Sequence, residues 1–159
     1  GNATRPSALL LTRQAVPHCP KPALHDIGKG AYVLAEPSEV GLGQRAALAV
    51  VVASGSEVQL ALHAQAALAR DGVAVRVVSV PSTTVFDRQS AEYKSSVLPA
   101  KLPRIAVEAG VTEGWWKYGC AAVVGIDRYG ESAPAGALFK HFNFTAENVA
   151  AVVKKVLKA

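Results

Sequence analysis

Cysteine, aromatic side chains and long apolar runs are all scarce in this chain. Its two cysteines, Cys19 and Cys120, stand about a hundred residues apart with no Cys-x-x-Cys anywhere. That excludes a disulfide-dense secreted scaffold and a cysteine-rich zinc site. The longest uninterrupted apolar run, residues 46–53, is eight residues long, too short to cross a bilayer. Residues 1–6 carry no apolar stretch, so no secretory leader is expected. Charged residues make up only 18% and aromatics 6%, while half of the 159 residues are apolar. A core is therefore available, built from Ala, Val, Leu and Ile, and disorder is excluded. This length fits one domain, or one domain with a piece of a neighbour. The expected protein is soluble, has no membrane partner and resides in the cytoplasm.

The net charge of +5 and a pI near 9.4 invite a nucleic-acid reading, but the distribution opposes it. The one basic cluster, Lys154, Lys155 and Lys158, falls at the end of an expected helix, where cations favour the carbonyl end of the dipole. No basic run is interleaved with aromatics as a stacking platform requires, so no nucleic-acid partner is expected.

Along the chain, residues 7–12 (SALLLT) read as a short buried strand ending at Arg13-Gln14. Pro17, Pro20 and Pro22 then stiffen residues 15–28 into an extended linker, which detaches that strand from the rest of the chain. Residues 31–34 form a second extended run. Residues 47–53 (ALAVVVA) are of the β-branched kind buried on both faces of a parallel sheet. A helix over 57–70 carries Gln59, His63 and Arg70 on one polar stripe, and Asp71-Gly72 closes it. Residues 73–80 form a strand, and Asp87 is placed to cap a helix running to about Val97. Strands over 104–108 and 122–126 come next, then helices over 134–142 and 146–157, the last capped by Thr145. Alternating strands and helices predict an α/β class with a largely parallel sheet.

Chemistry is thinly signposted. Gly41-Leu-Gly-Gln-Arg-Ala46 matches a dinucleotide fingerprint, but precedes a strand where the mechanism needs it after one. Ser54-Gly-Ser-Glu57 occupies the strand-to-helix turn where backbone amides can hold an anion. The Ser-x-x-Glu spacing equally forms a capping box that satisfies those amides internally. His18, His25, His63 and His141 show no metal-ligand spacing, Ser79, Ser82 and Ser132 lie in no nucleophile elbow, and Cys120 reads as a small core residue. The loops 54–57, 81–84, 109–112 and 127–132 would gather at the carboxyl ends of the strands, where open α/β sheets bind ligands. That end holds Glu108, Glu113, Asp127, Arg128 and Glu131.

Those loops carry a family resemblance. Ala53-Ser-Gly-Ser-Glu-Val58, Arg76-Val-Val-Ser-Val-Pro-Ser82, Phe86-Asp-Arg-Gln89, Val107-Glu-Ala-Gly110 and Trp116-Lys-Tyr118 resemble transketolase. So do residues 93–99 (YKSSVLP), 125–134 (GIDRYGESAP) and 141–145 (HFNFT), all in the family's order. The likeness is to its carboxy-terminal domain, while residues 7–14 resemble the last strand of the preceding pyrimidine-binding domain. Two departures stand out. The stretch Lys117–Ala122 is shortened and contains Cys120, and Asn143 replaces a usual Gly while tolerating the same left-handed backbone.

The resemblance implies a three-layer α/β/α domain over residues 29–159, with a mostly parallel five-stranded mixed sheet whose antiparallel member is the run 31–34. Residues 1–14 would end the preceding domain, and 15–28 would link the two. It further implies a thiamine diphosphate enzyme, dimeric, with a divalent metal (magnesium or calcium). Such an enzyme moves a two-carbon ketol unit between ketose and aldose phosphates, in pentose-phosphate metabolism or carbon fixation. The family's Gly-Asp-Gly metal signature is absent from this sequence, so the chain is expected to be a structural, dimer-supporting part that is inactive alone. One site residue carries over: Arg13, matching the Arg of the family's Ser/Thr-Arg-Gln motif, would contact the substrate phosphate. A rival reading is a stand-alone regulatory module. It would bind a small anionic ligand at the strand ends through Ser54, Gly55, Ser56 and Ser82.

Overall fold

The computed structural model describes residues 6–12, 14–20 and 24–159. The β-branched runs become strands β1 (Tyr32–Ala35), β2 (Ala49–Ala53), β3 (Val75–Ser79), β4 (Arg104–Val107) and β5 (Cys120–Val124). They form one sheet of order β1-β3-β2-β4-β5, with β1 antiparallel to β3 and every other pair parallel. The helices are α1 (Leu24–Ile27), α2 (Glu57–Arg70), α3 (Thr83–Asp87), α4 (Ala91–Val97), α5 (Glu113–Trp116), α6 (Ala135–His141) and α7 (Ala146–Lys158).

Strand periodicity divides the core in two. On one face Val51, Val77, Ile105 and Val107 pack against Ala61, Ala64 and Leu68 of α2 and Val149 and Val153 of α7. On the other, Val50, Val52, Val78 and Ala106 pack against Phe86, Val97 and Trp115. Every residue of β2 is buried, as a strand covered on both faces requires. The three-layer architecture and the mixed sheet with its antiparallel edge strand agree with expectation. No helix among the described residues is long and apolar enough to cross a membrane.

Several local expectations are corrected. Residues 7–12 form no strand, and Leu9, Leu10 and Leu11 are 84%, 90% and 77% exposed. A strand needs a neighbour to satisfy its N–H and C=O groups, and among the described residues none lies beside this segment. The linker is not extended throughout, because α1 falls inside it. The helix expected from Asp87 onward is two short helices. Ser82 Oγ accepts from Val85 N–H (3.3 Å) and Ser90 Oγ from Tyr93 N–H (3.2 Å), so serines cap α3 and α4. Asp87 instead accepts from Lys117 Nζ and Tyr118 Oη, each at 2.7 Å. The capping box at Ser54–Glu57 does not form: Glu57 N–H reaches the Ser54 carbonyl (3.1 Å) in a turn through Gly55 at φ +52°. Thr145 does cap α7, accepting from Asn148 N–H at 3.2 Å, and Asn143 adopts φ +61°.

Candidate functional site

The sheet order reverses at β2. The chain leaves β2 for β3 on one side and returns to β4 on the other, so the loops after β2 and β4 diverge and open a crevice. A cavity of about 330 Å³ occupies it. Ser56 and Glu57 enter from the α2 start, and Glu108 and Ala109 from the end of β4. Leu138, Phe139, Phe142 and Phe144 form an apolar wall, and Gln14, just ahead of the linker, reaches the cavity.

Register explains why two carboxylates meet here. Ala53 is the parallel partner of Val107, so the residues following each strand emerge side by side. The loop after β4 is held to the far strand, with Glu108 N–H bonded to Val124 O (3.0 Å) and Ile126 N–H to Gly110 O (2.7 Å). Glu57 is only 5% exposed. Its Oε1 accepts from Ser56 Oγ–H at 2.6 Å, and Ser56 Oγ accepts in turn from Gln14 Nε2 at 3.2 Å. Burial, with the nearby Glu57 charge second, pushes the Glu108 carboxyl up to about 7. Such a group exchanges protons near neutrality. Glu131 is a third carboxylate of the lining, ion-paired with Arg128, whose guanidinium lies 5.3 Å over the ring of the lining Phe142, and 3.3 Å from His141 Nε2.

The residues singled out from sequence do not all converge. Arg13 lies outside the described residues. Ser56 lines the crevice. Gly55 lines a second cavity, about 540 Å³, together with Pro17, Cys19 and Pro81. Ser54 is used through its carbonyl in the turn, and Ser82 as the α3 cap. Asp127 accepts from both Thr112 N–H and Thr112 Oγ1 at 2.8 Å, which hold its carboxyl below the usual range. Cys120 is buried, its thiol pushed up to about 11 by desolvation, and is no nucleophile. The pairing of Glu57 with Glu108 and the reach of Gln14 were not anticipated. The available signal was that both carboxylates closely follow strands that neighbour each other.

The described residues do not fit the divalent metal that accompanies thiamine diphosphate. Among them, no group of three or more His, Cys, Asp or Glu is placed to hold a metal ion.

Comparison with known proteins places this geometry. The family model for the transketolase-like TK C-terminal domain matches residues 30–145. Transketolase 2 of Pasteurella multocida is 46% identical over 157 residues, covering 96% of this chain and 23% of that protein. The chloroplastic transketolase of Zea mays is 44% identical over 156 residues, covering 96% of this chain and 22% of that protein. A crystal structure of Pichia stipitis transketolase in complex with sedoheptulose-7-phosphate is similar with a TM-score of 0.82 at 39% identity. It covers 92% of this chain and 20% of that one. The chain thus spans about a quarter of the length of the curated relatives it matches. On the sheet order, the matched span and these identities, the chain belongs to the transketolase family, as its carboxy-terminal domain.

Proposed function

We propose that the chain works within a thiamine diphosphate-dependent transferase that moves a two-carbon ketol unit from a ketose phosphate to an aldose phosphate. The observation carrying this is the alignment of 96% of the chain with a transketolase at 46% identity. In this reading residues 1–14 end a pyrimidine-binding domain, 15–28 link, and 29–159 form the carboxy-terminal domain. The bare leucines Leu9, Leu10 and Leu11 favour it, because a strand completed by a preceding domain would cover them. The cofactor and its divalent metal are assigned to the preceding domains, since the described residues offer no cluster of ligands to hold the metal. The chain alone is then a structural, dimer-supporting part without activity. The cytoplasm is the proposed compartment and pentose-phosphate metabolism the proposed pathway. Carbon fixation is the alternative where a relative is chloroplastic, as in Zea mays. The rival module for an anionic ligand gains nothing from Ser82, whose hydroxyl is spent capping α3.

Arg13 is the proposed phosphate contact, since a guanidinium presents a rigid fork to phosphate oxygens. Arg13→Ala in the full-length protein is expected to raise KM for a ketose phosphate roughly ten- to a hundredfold, the loss of a charged hydrogen-bond pair. The same ketose without its phosphate should be unaffected. Equal effects on both would remove Arg13 from the phosphate site. The isolated chain, supplied with cofactor and magnesium, should transfer no ketol unit, and turnover there would overturn the assignment of chemistry to the preceding domains.

A further inference from the structure

We propose that Ser56 and Gln14 are positioning residues: the Ser56 hydroxyl, oriented by the buried Glu57 carboxylate, holds the Gln14 amide and so fixes the chain beside Arg13. This rests on the reading of Arg13 as the phosphate contact.

The bond directions make the relay specific. A serine hydroxyl has one proton to give, and Ser56 gives it to Glu57 Oε1 at 2.6 Å. Its lone pairs are left as acceptors, and Gln14 Nε2 supplies the donor at 3.2 Å. With the proton committed, only the –NH₂ end of the Gln14 amide can bond there. Glu57 is 5% exposed and is the first residue of α2, and its Oε1 faces the Ser56 hydroxyl. At 2.6 Å the Ser56–Glu57 bond is short, and the hydroxyl does not rotate freely.

A second tie sets the direction of the segment. Gln59 Nε2 donates to Cys19 Sγ, and Ser56 and Gln59 stand three residues apart at the start of α2. Residues 14–19 therefore run along the first turn of α2, with Pro17 limiting their freedom. Consecutive Cα atoms are about 3.8 Å apart, so displacement of Gln14 is passed to its neighbour. Misplacement of a substrate-holding group by about 1 Å is enough to matter kinetically. A domain that holds no cofactor would in this way set how well the enzyme grips a phosphate.

The test uses the full-length protein, with kcat and KM measured for a ketose phosphate and for the same ketose lacking phosphate. Ser56→Ala and Gln14→Leu should each raise KM for the phosphate ester about fivefold, the factor carried by one neutral hydrogen bond. KM for the free ketose and both kcat values should stay within twofold. The double variant should be no worse than the worse single one, and Ser56→Thr, which keeps the hydroxyl, should restore KM. Equal changes for the two substrates, additive single effects, or no change in either would overturn the relay. Gln14 is half-buried, so Gln14→Leu carries the test by itself if Ser56→Ala fails to fold. Arg13→Ala separates the two ideas. If it discriminates between the substrates and the relay variants do not, the relay alone falls. If it does not discriminate, the phosphate contact falls and the relay with it.

Discussion

Replacing Glu108 by glutamine probes the energetics of the crevice. Burial, and then the charge of Glu57, raise this carboxyl from 4.5 to about 7 in the folded chain. The folded state therefore binds the Glu108 proton more tightly than the unfolded one. Its contribution to stability is complete below about pH 4.5 and is lost as pH rises through about 7. At about 1.4 kcal/mol for each pH unit between the two values, the loss is at most ~3.4 kcal/mol. Water reaching the partly exposed carboxyl screens it, and roughly half, about 1.5–2 kcal/mol, is a realistic figure. Glutamine is neutral throughout, so Glu108→Gln should match the parent near pH 4.5 and exceed it by that amount at pH 8. For a chain of this length the gain is a Tm increase of roughly 3–8 °C. Melting followed by circular dichroism from pH 4.5 to 8 on both proteins measures it. Asp71, Asp87 and Asp127, held low by their hydrogen-bond partners, impose the opposite slope at acid pH. That slope is common to both proteins and cancels in the difference. A Tm difference that does not change with pH would refute the reasoning.

Two further predictions concern backbone and thiols. Gly30 has φ +89°, and a Cβ there would stand 2.5 Å from both Phe86 N and Ser82 O. Gly30→Ala should cost about 2–5 kcal/mol in urea unfolding, left-handed strain plus overpacking. Gly41→Ala, at φ +82° with nothing within 4 Å, should cost only about 1–2 kcal/mol. Equal losses would mean the close approach at Gly30 is not felt. Of the two free cysteines, Cys19 is partly exposed and Cys120 buried. A thiol reagent at pH 8 should titrate one equivalent in the native chain and the second only in denaturant. Two fast equivalents would contradict the burial of Cys120.

How much could be read in the residues depends on how local each signal is. The bounds of α2 came out at Glu57–Arg70 because an Ala/Leu face, a polar stripe and Asp71-Gly72 all act within the helix. Strands β2 to β5 announced themselves as runs of Val, Ala and Ile, with β5 opening two residues early at Cys120 because pairing with Arg104 extends it. The split between α3 and α4 was hidden, since Asp87, Ser82 and Ser90 are all capable caps and tertiary contact with Lys117 and Tyr118 decided among them. The resemblance, not periodicity, supplied the antiparallel β1. At the site, Glu57 was visible only as a cap. Its burial and its effect on Glu108, fifty-one residues away, depend on strand order, which no local pattern encodes.

The position of β2 has a consequence for synthesis. Both strands that flank it, β3 and β4, come later in the chain. When Ala53 leaves the ribosome neither neighbour exists, and the Ala-Val-Val-Val-Ala segment has no partner for its N–H and C=O groups. At roughly 5–20 residues per second, Val107 emerges some 3–11 s later. The α2 face must then wait longer still for Val149 and Val153 of α7. Non-local parallel pairing of this kind is slow even in a complete chain. During translation it leaves the stickiest strand of the domain bare for seconds, so the nascent polypeptide, not the finished fold, is where aggregation and chaperone capture act on this sequence.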